Sequence, residues 1–427
     1  MKPTSSGSTL PEAQATPTVR RRVACRLCGC QVLSLVLQLT PTPPANAFVS
    51  ADMLLDEQEA YPLDVFLCDD CGHLQLLDVV NPDVLFRDYV YVSSTSPVFV
   101  DHFRRYADQV IEVARPSEDA LVVEIGSNDG TFLRFFRERG LRVLGVDPAL
   151  KIALEATQAG IETMPAFFDA DLARQIRKER GPASVVAANN VLAHADDLAG
   201  IAAGIRELLA PDGICVFEVS YLMDVVSDTL FDTIYHEHLS YHSVKPLVEF
   251  FGRHGMELID VERVPTHGGS IRGTVQLAGG GRKVSPRVSE RVACEETFGL
   301  QNAGTFESLA ARIDSVKARL SGLVRDLKAQ GKTIAGFGAP AKATTLLYHL
   351  DLGGVLDFIV DDSPLKQNLF TPGHHIPVLP ARAIYDRRPG YVLVLAWNFA
   401  QSIMSNHKRF TEQGGRFILP MPEVRVV

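Results

Sequence analysis

The sequence predicts an α/β protein of three units: a small N-terminal module with paired cysteines, a central Rossmann-like domain and a smaller Rossmann-like α/β domain at the C-terminal end. Two CxxC pairs lie near the start of the chain. From LVVEI onward, strand-like apolar runs alternate with helix-length segments, and a second alternating set begins at Lys332. Repeated strand, helix and strand favour right-handed crossovers and parallel sheets.

Length and composition support several units. The 427 residues are too many for one ordinary core, and the 46% hydrophobic and 22% charged residues are typical of a globular protein. No apolar run approaches the roughly 18 residues of a membrane span. The apolar stretch from Gln31 to Leu39 lacks a basic leader, so we expect no signal peptide and a cytoplasmic protein.

The charge balance bears on possible partners. A net charge of −9 argues against a broad nucleic-acid surface. The basic residues Arg20 to Arg22, with Arg26, are interpreted as a solvated edge. We therefore expect a monomer that binds a small molecule, with neither nucleic acid nor membrane as a partner.

Composition shifts predict the boundaries. Residues 1–19, rich in Ser, Thr, Pro and Gly, are expected to be a disordered leader. Residues 20–82 form the cysteine module, 83–279 the central domain and 280–427 the C-terminal domain. The runs MELIDVERVP and SIRGTVQLAG are predicted to close the central sheet as two antiparallel strands.

The paired cysteines predict a zinc site. Cys25, Cys28, Cys68 and Cys71 can supply a closed tetrahedral shell, which is typical of a structural ion. Four unrelated buried thiols are the alternative. Cys30 and His73 lie nearby as spare ligands and are ranked below the four cysteines.

A glycine loop after the first central strand predicts a cofactor site. Glu124, Gly126, Asn128 and Gly130 belong to EIGSNDG, and Asp147 ends the second strand, where it can accept the ribose hydroxyls. The loop lacks the closely spaced glycines that a pyrophosphate needs, which favours S-adenosylmethionine over another nucleotide and hence a class I methyltransferase domain. Asn189, at the end of the third run, is expected at the same edge.

The segment FDTIYHEHLSYHS predicts a catalytic cluster. Tyr235, Glu237 and His238 offer a base, a carboxylate to orient an imidazole and a phenol, and His194 follows the third strand. A metal site at His238 and His242 is a weaker alternative, because Leu239 replaces the Glu of a zinc-protease helix.

The C-terminal domain has a glycine turn of its own. GFGAPAK places Gly338 and Lys342 where a phosphate could bind, with Asp361 and Asp362 after the next strand. One interpretation is a dinucleotide site, which would make the protein an NAD-dependent oxidoreductase. The other is a platform for the nucleotide part of a substrate.

Taken in order, the paired cysteines, EIGSNDG, NNVLAH, IYHEH, THGGSIR and GFGAPAK resemble the nucleotide-sugar C-methyltransferases of deoxysugar biosynthesis. The resemblance covers nearly everything from Cys25 to the end. It implies a zinc module, an S-adenosylmethionine domain and a Rossmann-like C-terminal domain. It also implies methylation at carbon 3, or a related carbon, of a dTDP-4-keto-6-deoxyhexose.

The resemblance further implies roles for single residues. His238 is the expected base, with Tyr89, His194, Tyr235 and Glu237 around the sugar. From the chemistry of the residues, Glu237 would hold His238, and the other three would stabilise an enolate or relay a proton. Substrate contacts are expected from a set spread along the chain: Ser94, Ser270, Arg272, Gly338 and Lys342. For the turn HGGSIR, a plain strand-to-strand connection is the alternative.

Two other functions are left open by the residues. The oxidoreductase would be stabilised by NAD(H) and not by S-adenosylhomocysteine. A non-catalytic scaffold built on the zinc module does not explain why His, Glu and Tyr concentrate in FDTIYHEHLSYHS.

Overall fold

Four β-sheets organise residues 18–86 and 97–427, the part of the chain that this computed structural model describes. The α/β class predicted from the sequence is confirmed. The expected disordered leader, residues 1–19, lies almost wholly outside the described residues. No helix among the described residues combines the length and apolar character that crossing a lipid bilayer requires.

The N-terminal unit is built from two antiparallel sheets. A two-stranded sheet pairs β1 with β5, and a four-stranded sheet has the order β11-β4-β3-β2. The strands and the short helix of this unit are β1 (Val19–Arg21), β2 (Leu33–Thr42), β3 (Tyr61–Cys68), β4 (Leu74–Leu76), β5 (Asp78–Val80) and α1 (Pro82–Phe86). The edge strand β11 (Ser240–Tyr241) comes from far along the chain, directly after the predicted catalytic cluster.

The central unit has the seven-stranded sheet that the alternating pattern predicts. Its strands are β6 (Leu121–Ile125), β7 (Arg142–Val146), β8 (Thr163–Met164), β9 (Ala183–Asn189), β10 (Leu209–Ser220), β12 (Met256–Val264) and β13 (Ser270–Leu277). The order is β12-β13-β10-β9-β6-β7-β8. The five strands β10, β9, β6, β7 and β8 are parallel, and β13 is antiparallel to both its neighbours. The predicted antiparallel closure is thus confirmed.

Helices cover both faces of the central sheet. The helices of this unit are α2 (Pro97–Ala114), α3 (Thr131–Arg137), α4 (Leu150–Gln158), α5 (Ala170–Arg180), α6 (Leu198–Leu208), α7 (Leu222–Ser227) and α8 (Val244–Arg253), of which α7 packs against the N-terminal sheet instead. Because β6, β7, β9 and β10 are parallel, their carboxyl ends meet at one edge of the sheet, beside the point where the strand order reverses. Ligands of doubly wound sheets bind at such an edge.

The C-terminal unit is a second doubly wound sheet with the order β16-β15-β14-β17-β18-β19, parallel except for the last strand. Its strands are β14 (Ile334–Phe337), β15 (Phe358–Asp361), β16 (Val378–Pro380), β17 (Tyr391–Val394), β18 (Arg416–Leu419) and β19 (Arg425–Val426). Its helices, including two that precede the sheet, are α9 (Pro286–Phe298), α10 (Ala303–Ala329), α11 (Ala343–His349), α12 (Ala383–Arg387), α13 (Ala400–Asn406) and α14 (Lys408–Glu412).

The long helix α10 joins the first and last units into one core. Its buried residues recur every three or four positions: Phe306, Leu309, Ile313, Val316, Leu320, Val324 and Leu327. This stripe packs in a single apolar cluster with Leu37 and Leu63 of the N-terminal sheet and Ile334 of β14. The N-terminal sheet and the C-terminal unit are therefore packed directly on each other, although most of the chain separates them.

Candidate active site and zinc centre

The four paired cysteines meet at one point. Their sulfur atoms all lie within 4.8 Å of one another. Cys25 Sγ is 3.7 Å from Cys71 Sγ, and Cys28 Sγ is 3.5 Å from Cys68 Sγ. A tetrahedral ion with bonds of about 2.3 Å places its sulfur ligands roughly 3.8 Å apart, so the cluster fits zinc closely.

Tight turns bring each pair together. The amide of Gly29 donates to the carbonyl of Cys25 at 3.0 Å, and the amide of Gly72 donates to that of Cys68 at 2.9 Å. Both glycines have positive φ, 78° and 75°. Because an L side chain rarely adopts this conformation, glycine after each CxxC lets the chain turn back with both thiols on the same side.

The spare ligands lie outside this cluster. His73 is fully buried, and its Nε2 lies 3.2 Å from Ser240 Oγ. Among the described residues, the four cysteines are the one group of three or more potential metal ligands that lie close together. The alternative site at His238 and His242 therefore gains no support. His242 is buried, and burial lowers its pKa to about 4.

The glycine loop lies at the carboxyl end of β6. Gly126 and Gly130 have φ of 67° and 73°, and a Cβ at either position would press on Val191 or Ile161. Asn128 between them also has a positive φ, 50°. The loop can therefore come close to a bound ligand only with small residues at these two positions.

Asp147 is held by the same loop. Its Oδ2 accepts a hydrogen bond from the amide of Asn128 at 2.8 Å, and its Oδ1 accepts one from Ala149 at 2.9 Å. Burial raises the pKa of this carboxyl, and the two backbone amides lower it in part. Each oxygen keeps a second lone pair, which two ribose hydroxyls can use.

Glu124 and Asn189 form a buried polar pair at the ends of β6 and β9. Asn189 Nδ2 donates to Glu124 Oε1 at 3.1 Å. Burial raises the pKa of Glu124 well above its usual range. Among the described residues, Glu124 Oε2 and Asn189 Oδ1 are buried without a hydrogen-bond partner, which fits a polar ligand at this edge.

The predicted catalytic cluster is ordered around His238. Its Nδ1 lies 2.7 Å from the carbonyl of Thr233, and its Nε2 lies 2.9 Å from the hydroxyl of Tyr235. A carbonyl only accepts, so Nδ1 carries the proton and Nε2 is the basic nitrogen. The ring of His194 meets that of His238 edge-on, with centroids 4.9 Å apart.

Glu237 makes a different contact from the one expected. Its Oε1 accepts from Asn46 Nδ2 at 2.7 Å, while the Nδ1 position of His238 is occupied by the Thr233 carbonyl. The backbone, rather than this carboxylate, therefore fixes the tautomer of His238. Two other expected site residues, Tyr89 and Ser94, lie outside the described residues.

One cavity of about 870 Å³ brings the glycine loop and the His238 cluster together. Many predicted site residues line it: Glu124, Gly126, Asn128, Asp147, Asn189, His194, Tyr235, His238 and Lys342. Residues that sequence reasoning missed also line it: Asn46, Phe167, Phe168, Asp169, Lys366 and Asn398. Gly130, Glu237, Ser270, Arg272 and Gly338 are not among the lining residues, although each of them is part of the described chain.

Arg272 has a position other than the expected one. It pairs with Glu218 across the β10–β13 ladder, with Nη2 3.0 Å from Oε2, and its guanidinium lies 3.5 Å above the ring of Tyr106. Burial alone would raise the pKa of Glu218, but bonds from His102 and the charge of Arg272 lower it. Ser270 is fully buried, and its hydroxyl donates to Thr266 O. The structure therefore favours the alternative of a strand-to-strand turn.

The basic residues near the start are a solvated edge only in part, because Arg20 and Arg21 are exposed whereas Arg26 is buried. Arg20, Arg22 and Arg26 converge on the carboxylate of Asp196. Arg26 is buried and also donates to Gln75 Oε1 at 3.2 Å. The expectation was wrong for Arg26, because its partner carboxylate lies on the central unit, far away in sequence. The pairs tie the cysteine module to the segment that carries His194.

The C-terminal glycine turn repeats the geometry of the first one. Asp361 Oδ2 accepts from the amide of Ala339 at 2.6 Å and Oδ1 from Ser363 at 2.8 Å, as Asp147 does with Asn128 and Ala149. Lys366 lines the cavity, donates to the carbonyl of Ala339 at 2.8 Å, and has its pKa lowered by burial.

A Rossmann-like sheet with a glycine loop and an acidic strand end fits an S-adenosylmethionine-dependent methyltransferase, and comparisons with known proteins show this class. Family models match residues 25–86 (zinc binding domain), 100–261 (methyltransferase domain) and 265–422 (C-methyltransferase C-terminal domain). The C-methyltransferase NovU of Streptomyces niveus is 39% identical over 409 residues, which cover 94% of this chain and 96% of NovU. The chain belongs to this family of zinc-containing C-methyltransferases.

Solved structures resemble parts of the chain. The CcbJ methyltransferase of Streptomyces caelestis is 16% identical with a TM-score of 0.34, covering 45% of this chain and 95% of its own. An S-adenosylmethionine-dependent methyltransferase of Clostridium acetobutylicum is 12% identical with a TM-score of 0.35, covering 42% and 92%. NovU and the matching family models are methyltransferases, so the NAD-dependent alternative gains no support.

The geometry of Asp147 gives a direct prediction for cofactor binding. In Asp147→Asn the amide nitrogen would face one of the two backbone N–H donors that the carboxylate accepts. We expect affinity for S-adenosylhomocysteine, measured by titration calorimetry, to fall about tenfold or more, the loss typical of a hydrogen bond to a charged group. Asp212→Asn, at an exposed position away from the cavity, is the matched control. Equal affinities in the two variants would contradict the role of Asp147.

Proposed function

We propose that the protein methylates a nucleotide-linked 4-keto-deoxysugar, at carbon 3 of a dTDP-4-keto-6-deoxyhexose, in deoxysugar biosynthesis. The observation that carries this proposal is that residues of the glycine loop, the His238 cluster and the C-terminal turn line one cavity. A volume of about 870 Å³ leaves room for a sugar nucleotide beside a cofactor.

The proposed reaction begins with proton removal. A carbon next to a ketone is weakly acidic, so a base must meet its proton while donors meet the ketone oxygen. His238 Nε2 takes the proton, because Nδ1 is already protonated and bound to the Thr233 carbonyl. The C–H electron pair forms a double bond to the carbonyl carbon, and the C=O π pair moves onto the ketone oxygen, which becomes an enolate oxygen.

The donors for the enolate come from the same cluster. The Tyr235 hydroxyl is 2.9 Å from His238 Nε2, so in the substrate complex it can turn to the enolate oxygen or relay the proton. His194 borders the same space. When bound, S-adenosylmethionine would supply an electrophilic methyl group; the enolate carbon would bond to it as the methyl–sulfur bond breaks and S-adenosylhomocysteine leaves. Tyr89, in this proposal, adds a second phenol from the segment before α2.

The remaining residues bind and orient. Glu124, Gly126, Asn128, Gly130, Asp147 and Asn189 would hold the cofactor, and Lys342, with the turn at Gly338, would hold the nucleotide portion. Two of the basic residues that line the cavity, Lys342 and Lys366, suit a substrate that carries a diphosphate. Asn46, which binds Glu237, would place the zinc module next to the sugar.

A panel of 4-keto sugar nucleotides tests the substrate class. The protein is incubated with S-adenosylmethionine and dTDP-, UDP- and GDP-linked 4-keto-6-deoxyhexoses, and products are analysed by mass spectrometry. We expect a gain of one methylene for a dTDP-linked sugar. Absence of a methylated product from all three 4-keto sugar nucleotides would contradict the proposed substrate class.

A further inference from the structure

A buried carboxylate lies between the C-terminal unit and the segment that carries the base. Asp232 is fully buried, and it belongs to a single 3-10 turn, Phe231–Thr233. Its Oδ2 accepts from Trp397 Nε1 at 2.7 Å and lies 3.2 Å from Lys342 Nζ. Both partners come from the C-terminal unit.

These three side chains form a closed triangle, in which Lys342 Nζ also lies 4.7 Å from the centre of the Trp397 ring. An ionised carboxylate this deeply buried is stable only with a cation and a hydrogen-bond donor against it. Asp232 Oδ1 is buried and has no hydrogen-bond partner among the described residues. The charge of Asp232 is therefore compensated through Oδ2, by Lys342 and Trp397.

The turn connects this triangle to the base. The carbonyl of Thr233, the next residue, accepts a hydrogen bond of 2.7 Å from His238 Nδ1. A second anchor follows, because Thr345 Oγ1 donates to the carbonyl of Ile234 at 2.7 Å. The C-terminal unit thus holds the chain on both sides of the carbonyl that selects the His238 tautomer.

We infer that Asp232 is a positioning residue through which Lys342 and Trp397 of the C-terminal unit fix the Thr233 carbonyl and hence the orientation of His238. This inference rests on the proposed role of His238 as base. It gives Lys342 a task besides the expected substrate contact. An anionic substrate group near Lys342 would compete with Asp232 for the lysine cation. Asp232 is the residue directly before Thr233, whose carbonyl binds His238.

The test measures three quantities in Asp232→Asn, Trp397→Phe and Lys342→Met. They are the affinity for S-adenosylhomocysteine, the exchange of the sugar α-proton with deuterated water in its presence, and, in the two variants that keep Trp397, tryptophan fluorescence. A dTDP-4-keto-6-deoxyhexose is the sugar probe. Trp397 is the single tryptophan of the chain, so its emission reports on this triangle alone. Lys328→Met, which breaks an exposed pair with Asp357 in the same unit, is the control.

We expect Asp232→Asn to shift the emission maximum, to keep cofactor affinity within about twofold and to slow exchange by about 100-fold, the size of loss that a small misplacement produces. Trp397→Phe and Lys342→Met should each slow exchange less than Asp232→Asn does. The double variant Asp232→Asn/Trp397→Phe should slow exchange no more than Asp232→Asn alone, because the two side chains act as a unit. If Asp232→Asn does not fold, these two variants decide the question.

His238→Asn separates the two ideas. Loss of exchange in His238→Asn with normal exchange in the triangle variants would overturn this inference and leave the proposed function standing. Normal exchange in His238→Asn would overturn the proposed base, and the inference with it.

Discussion

Replacement of His238 by Asn should abolish exchange of the sugar α-proton with deuterated water and leave binding of S-adenosylhomocysteine intact. Asn can still donate to the Thr233 carbonyl, but it offers no basic nitrogen in place of Nε2. We expect methyl transfer to fall by about 10²- to 10⁴-fold, the usual contribution of a general base. Exchange is followed by NMR and binding by calorimetry.

The control for this variant is His254→Asn. His254 caps the end of α8 and is not among the residues lining the cavity, so both activities should remain at wild-type level. Exchange that persists in His238→Asn would mean that another group removes the proton. Tyr235→Phe would then be the next variant to measure, because its hydroxyl lies 2.9 Å from Nε2.

Replacement of Cys68 by Ser should remove zinc and unfold the N-terminal unit. A structural zinc site contributes binding free energy on the order of 10 kcal/mol, which is comparable with the stability of a whole domain. We expect metal content to fall from about one ion per chain to near zero. The protein should become insoluble or lose on the order of 10 °C in unfolding temperature. Elemental analysis and calorimetry measure the two effects.

Cys30 provides the matched comparison for zinc. It lies two residues after Cys28 but outside the sulfur cluster, so Cys30→Ser should keep both the metal and the unfolding temperature. Full zinc occupancy in Cys68→Ser would count against a four-cysteine site and would direct attention to Cys30 as a replacement ligand.

Local signals in the sequence predicted much of the fold and part of the site. A short stretch of the chain contains the glycine loop, the strand that precedes it and Asp147. The conformation of each of them could be predicted from its own residue types. The cysteine pairs are equally local, because each turn depends on a glycine directly after it. Such features follow from backbone sterics and need no knowledge of distant contacts.

Contacts between units were beyond sequence reasoning. Asn46 and Glu237 are 191 residues apart, Asp232 and Trp397 are 165 apart, and Arg26 and Asp196 are 170 apart. No spacing rule connects such pairs, because the packing of one unit on another decides them. Arg272 was placed in the cleft from its residue type, whereas the register of β13 against β10 sets it opposite Glu218.

Phe167, Phe168 and Asp169 could have been found. They begin three residues after the end of β8 and line the same cavity as the glycine loop, and aromatic residues there suit a purine ring. The short strand, two residues long, gave too weak a pattern to locate that edge.

The strand β11 has a consequence for dividing this protein into pieces. Ser240 and Tyr241 pair with Gln75 and Leu74. The stretch that follows His238 therefore completes the sheet that carries Cys68 and Cys71 of the zinc site. A chain shortened to begin after Val80 would leave this strand without its neighbour and its apolar side chains bare. Such fragments should aggregate, and hybrids between relatives need the first eighty residues and the His238 stretch from the same parent.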